Sequence, residues 1–210
     1  HVRDAEGQHV LDGGLYRELI AHLAETVPDM SVQITTEAVG RYSPQQQREV
    51  VRDTMPSAVS VSLREMLPDD SEEAAARDFY HWADEADIAV QHILYEADEV
   101  AAFFARLRQG VIPRRNLQLL FVLGRYAKDQ ESDIADMEPF LSTLALEECA
   151  PDDLQWGLCA FGRLETDCLA EAVRRGGHAR IGFENNMWNR DGSIAADNAE
   201  RVRELKALIG

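Results

Sequence analysis

The chain has 210 residues, 45% of them hydrophobic and 28% charged, enough to bury a sizeable core as one soluble globular domain. No apolar run comes near the roughly 18 residues that a membrane-spanning helix needs, so no membrane partner is expected. A formal charge of −17, spread over acidic stretches such as Asp69-Asp70, Glu72-Glu73, Asp84-Glu85 and Glu147-Glu148, sets a repulsive field against nucleic acid.

The opening His1-Val2-Arg3-Asp4 runs straight into the turn Ala5 to Gln8, as the tail of a strand would. Asp12 is placed to cap a helix carrying Leu15, Leu19, Ile20 and Leu23 to about Thr26, which Pro28-Asp29 breaks. Ser31 to Thr35 reads as a short strand. Ser43-Pro44 opens a helix to about Asp53, and Ala58 to Val61 is the next strand. Ser71 caps a helix to about Ala86, Ile88 to Leu94 is a strand, and Ala97 to Gln109 a helix. Leu117 to Leu123 is too continuously apolar to be exposed on either face, the mark of a parallel sheet covered on both sides. A helix from about Ser132 to Glu147, a strand Leu154 to Phe161, a helix Leu164 to Arg174, a strand Ala179 to Phe183 and a helix Ala195 to Leu208 complete the count.

Strands that alternate with helices predict βαβ units and a parallel sheet. No Gly-x-Gly-x-x-Gly or Gly-x-x-x-x-Gly-Lys follows any strand, so the phosphate-binding signature of open doubly wound sheets is missing. Polar residues gather instead where several strands end: Thr35-Thr36, Ser60 and Ser62, Gly124-Arg125, Gly162-Arg163 and Glu184-Asn185-Asn186. That distribution fits the catalytic face of a barrel.

Strand alternation places Arg180, Gly182 and Glu184 on one face, so an inward arginine and glutamate reach the same cavity. A buried ion pair that only supports the barrel mouth is the alternative. His1 alone names no metal, because a catalytic zinc takes three protein ligands and an open position. His9, His22 and His81 fall on predicted surface turns or helices. Cys149, Cys159 and Cys168 have neither C-x-x-C spacing nor an even count. That argues against a disulfide framework or a structural zinc site, and for a reducing cytoplasm. Cys159 and Cys168 read as small buried residues rather than nucleophiles.

Taken in order, six segments resemble the beta-keto acid cleavage enzyme family, whose founding activity is 3-keto-5-aminohexanoate cleavage. They are His1 to Asp4, Gln33-Ile34-Thr35-Thr36, Leu120 to Gly124, Gly162-Arg163, Gly176 to Asn186 and the closing Ala195 to Val202. The resemblance covers essentially the whole chain. It implies an α/β fold, the (β/α)8 TIM barrel, here over residues 1–210 as one domain. The family's first motif, His-x-His-x-Arg-Asp, lies on the second barrel strand. The chain is therefore expected to lack the first strand and part of the second, with the first motif histidine two residues before His1.

The resemblance further implies a retro-Claisen type cleavage in which a beta-keto acid and acetyl-CoA give acetoacetate and a new acyl-CoA, carried out by a homo-oligomer. A zinc ion, or another divalent metal, would be held by His1 and Glu184 with the absent histidine. Arg180 matches the family's active-site arginine. Thr35 and Ser60 match hydroxyl positions that bind substrate, with serine and threonine exchanged at each. Asn185 stands where an aspartate assigned as catalytic base is usual, and an amide cannot take a proton at neutral pH. His92 occupies the strand where better-studied members often carry an inward glutamate. Thr36, Arg125, Arg163 and His92 are the expected substrate contacts. The Gly-Arg pairs fit the anions of acetyl-CoA, or equally turns with surface ion pairs. A metal-dependent lyase or aldolase without CoA, and a catalytically silent metabolite-binding barrel, stay open as alternatives.

Overall fold

The computed structural model describes residues 1–148, 150–151 and 153–210. Cys149 lies outside the described residues. The architecture is α/β: six strands form one sheet in chain order, β1 to β6, and alternate with helices as in part of a (β/α)8 barrel. The sheet is open, with β1 and β6 as its ends among the described residues. Two compact units divide the chain, His1–His92 with Ala105–Asn116, and Ile93–Phe104 with Leu117–Gly210.

In the first unit, α1 (Gly13–Thr26) starts where the Asp12 carboxylate accepts the Leu15 N–H. Next come β1 (Ile34–Thr35) and α2 (Pro44–Thr54). The latter opens with proline at its first turn and a reciprocal Ser43/Gln46 capping box, which satisfies two otherwise orphaned donors. Strand β2 (Ala58–Ser62) runs parallel to β1 with Ile34 opposite Val59 and Thr35 opposite Ser60. It passes directly into a one-turn helix, α3 (Leu63–Met66).

Helix α4 (Glu73–Glu85) is preceded by a 3-10 turn, Asp70–Glu72. Asp69, not Ser71, caps that turn: its carboxylate takes both the amide and the hydroxyl of Ser71. His1 to Asp4 form no strand. Arg3 and His9 make a single antiparallel bridge, closed because the Asp4 carboxylate accepts the amides of Glu6 and Gln8. Val51, Val59, Val61, Phe79, Tyr80, Ala83 and Ile112 are buried in this unit.

Strand β3 (Ala89–Leu94) and helix α5 (Ala97–Arg108) contribute residues to both units. In the second unit, β4 (Gln118–Leu123) and β5 (Gln155–Ala160) pair over their full lengths. Their alternation gives two apolar faces. Leu120, Val122, Cys159 and Phe161 pack with Ile93 and Tyr95 on one. On the other, Phe121 lies against Trp156 and against Phe140 of α6 (Glu138–Ala145). Burial on both faces is what the unbroken apolar run required.

Helix α7 (Glu165–Arg174), β6 (His178–Ala179) and α8 (Asn198–Ile209) follow, the last capped by Asp197. β6 is shorter than its sequence suggests. After Ala179 the chain turns: the amides of Asn185 and Asn186 both donate to the Gly182 carbonyl. The Gly182 amide itself goes to the Glu165 carboxylate at 3.1 Å. These side-chain and turn bonds take the amides that a longer strand would have used.

Candidate functional site

In the first unit the expected hydroxyls do come together at the ends of β1 and β2. The Thr36 hydroxyl donates to the Ser60 carbonyl at 3.1 Å, and Ser60 Oγ donates to the Ile34 carbonyl at 3.5 Å. Thr35 Oγ1 accepts the Glu37 amide at 3.1 Å. All three side chains are buried. His1 lies with its Nε2 3.7 Å from Glu37 Oε2, its ring 5.0 Å from that of His9. His9 is not a surface residue: it is buried, with Nδ1 3.4 Å from the Val2 carbonyl and Nε2 3.1 Å from that of Glu37. His92 is packed beside the Tyr80 ring of α4, 5.2 Å away. Burial lowers its pKa to about 3, so the imidazole is neutral at physiological pH.

Two residues of this region went unnoticed in the sequence. Gln47 on α2 donates both to the Thr36 carbonyl, at 2.7 Å, and to the Glu65 carboxylate, at 2.9 Å. Glu65, on α3, also accepts the Ala38 amide. Burial raises the Glu65 pKa above the ordinary value, the hydrogen bonds from Ala38 and Gln47 oppose that, and nearby Glu37 adds to it. The folded chain therefore keeps a proton on Glu65 that the unfolded chain has already lost. Its contribution to stability is present below the ordinary carboxyl pKa and disappears as pH rises through the raised one. Urea midpoints taken at stepped pH should decline less steeply through that window in Glu65→Gln than in the parent; identical slopes would refute the assignment.

In the second unit the residues after β6 converge through a turn rather than along a strand. Arg180 and Glu184 meet at 2.6 Å in an i,i+4 pair, with Glu184's side chain 48% exposed. Alternation predicted their proximity for the wrong reason. Behind them Asn185 is buried. Its Oδ1 accepts the Cys159 thiol at 3.2 Å, and its Nδ2 donates to Glu165 Oε1 at 2.9 Å and to the Arg180 carbonyl at 3.3 Å. Burial pushes the Cys159 thiol up to about 12, which keeps it protonated and unreactive. Cys168 is likewise buried and free.

Glu165 and Arg201 form the centre of this network, and neither was expected. Both side chains are 0% exposed, and Arg201 Nη2 is 2.9 Å from Glu165 Oε2. The guanidinium also reaches Thr166, Glu204 and Asn189. Burial raises the Glu165 pKa, opposed by hydrogen bonds from Arg201, Asn185 and the Gly182 amide. A readable signal did exist: Glu165, Cys168, Leu169 and Ala172 are all buried at i, i+3, i+4 and i+7 of α7.

The two Gly-Arg pairs share a design. Arg125 stands 5.3 Å over the Phe161 ring, and Arg163 stands 4.0 Å over that of Trp188. Each guanidinium thus packs its face on an aromatic ring. Gly162 has φ +94°, and a Cβ there would meet the Gln130 carbonyl at 2.9 Å, so only glycine fits. The Glu131 carboxylate at this point accepts the Arg163 amide at 2.8 Å.

As to metal, among the described residues no group of three or more His, Cys, Asp or Glu could hold an ion. Glu184 is already engaged by Arg180. The described side chains therefore do not make a complete ligand set. No helix is long and apolar enough to cross a membrane among the described residues.

Comparison with known proteins adds the following. The family model described as beta-keto acid cleavage enzyme matches residues 1–210. A 3-keto-5-aminohexanoate cleavage enzyme of Fusobacterium nucleatum subsp. nucleatum is 23% identical, over 99% of this chain and 74% of its own. A 3,5-dioxohexanoate:acetyl-CoA acetone transferase of Paraburkholderia graminis is 30% identical over 57 residues, 27% of this chain and 18% of its own.

Proposed function

Since the chain belongs to the beta-keto acid cleavage enzyme family, we propose that it converts a beta-keto acid and acetyl-CoA into acetoacetate and an acyl-CoA. The bond between the keto carbon and the CH2 beside the carboxylate breaks. The acetyl group joins that CH2-carboxylate fragment, and the CoA thiol takes the remaining acyl group. The observation that carries this reading is the Arg180–Glu184 pair at the turn after β6, backed by buried Asn185.

Arg180 offers a planar fork of donors to the substrate carboxylate or to negative charge developing at the reacting centre. Thr35, Thr36 and Ser60 supply hydroxyls, and stacked Arg125 and Arg163 supply cations for the anionic groups of the substrates. Asn185 is a hydrogen-bonding residue, not a base. The resemblance also carries a divalent metal with His1 and Glu184 as two of its ligands, a set that the described residues do not complete. The roles given to Arg180 and the hydroxyls do not depend on it. A homo-oligomer in the cytoplasm completes the proposal.

Full-length protein incubated with acetyl-CoA and a panel of beta-keto acids should release acetoacetate and the matching acyl-CoA. Cleavage that needs no CoA would favour a lyase. Thermal stabilisation by a keto acid without any turnover would favour a silent binding protein. Either result would remove the proposed activity.

A further inference from the structure

The buried Glu165 is not needed to hold two helices together, since apolar packing would do that without two desolvated charges. Its two oxygens have separate tasks. Oε2 is anchored to Arg201 of α8 at 2.9 Å. Oε1 gathers the turn that carries the proposed reactive groups, accepting the Gly182 amide at 3.1 Å and Asn185 Nδ2 at 2.9 Å. The same Asn185 amide nitrogen reaches the Arg180 carbonyl at 3.3 Å. Asn185 Oδ1, turned the other way, is capped by the Cys159 thiol.

We propose that Glu165, anchored by Arg201, is a positioning residue for the cleavage reaction: it holds the Arg180–Asn185 turn and thereby aims the Arg180 guanidinium at the substrate. This rests on the cleavage activity proposed above. It also accounts for the amide at position 185. A carboxylate there would set oxygen against oxygen at the Glu165 contact, whereas an amide donates. The amide at 185 and the carboxylate at 165 fit only in this order, since Glu165 Oε1 also accepts the Gly182 amide and Asn185 Nδ2 also donates to the Arg180 carbonyl.

The test compares wild-type full-length protein with Glu165→Gln, with Asn185→Ala, and with the double variant Glu165→Gln/Asn185→Ala. Acetoacetate formation and melting temperature are measured for each. Either single change should lower kcat by about tenfold or more with KM held within about threefold, the scale of misplacing a group without removing it. The double variant should fall no more than about threefold below the slower single variant, because both changes release the same turn.

Should Glu165→Gln fail to fold, Arg201→Lys, which keeps the charge and loosens the anchor, takes its place in the comparison. A folded single variant with unchanged kcat and only a lower melting temperature overturns the inference, as does a double variant whose loss is the product of the two single losses. A wild type that makes no acetoacetate overturns the proposed activity and this inference together. A wild type that turns over while the single variants keep its kcat removes this inference alone.

Discussion

Replacing Arg201 with methionine should lower the stability of the protein by about 3–5 kcal/mol, the loss typical of a buried charge deprived of its partner. Glu165 and Arg201 are both fully buried, and the guanidinium also serves Thr166 and Glu204. Without it, among the described residues Glu165 retains the Gly182 amide and the Asn185 amide, too few to hold a carboxylate charge out of water. Urea denaturation with the slope held constant measures the change. The double variant Arg201→Met/Glu165→Met, which removes both charges at similar volume, should recover part of the loss, the remainder coming from the Gly182 and Asn185 donors left without the Glu165 oxygen. If the double variant were no more stable than Arg201→Met alone, lost packing of the Arg201 stem, not charge, would account for most of the destabilisation.

The order of elements was legible because it rests on local rules: the Asp12 and Ser43 caps, the Pro44 start and the Leu117 to Leu123 run all have short-range causes. What escaped depends on partners distant in sequence. Glu165 and Arg201 are 36 positions apart, and the α7 stripe that marks Glu165 as inward-facing does not name its partner. Gln47 and Glu65 escaped for the same reason, being joined only once α2 and α3 are in place. The end of β6 was misjudged because a turn closed on Gly182 by its own amides competes with strand extension, and alternation cannot register that competition. Arg180 and Glu184 were read as sharing one strand face, which would hold them about 13 Å apart along the strand; it is the turn that closes them to 2.6 Å.

Arg180→Ala should reduce kcat by about a hundredfold to a thousandfold, the usual effect of removing a group that stabilises developing charge. The comparison with Arg180→Lys is the sharper part. Lysine keeps the charge but not the planar fork, and in this turn the fork is already oriented, with Nη2 2.6 Å from Glu184 Oε2. A two-point contact to a substrate carboxylate would therefore leave Arg180→Lys nearly as impaired as the alanine variant, whereas a simple need for positive charge would let lysine recover most of the rate. The split between kcat and KM separates two further roles. A fall in kcat and kcat/KM by equal factors places the guanidinium at the transition state, and a rise in KM with kcat unchanged places it in substrate binding alone. Because Glu184 holds the fork in wild type, Glu184→Gln should weaken that orientation and impair turnover even if its own oxygens never touch the keto acid.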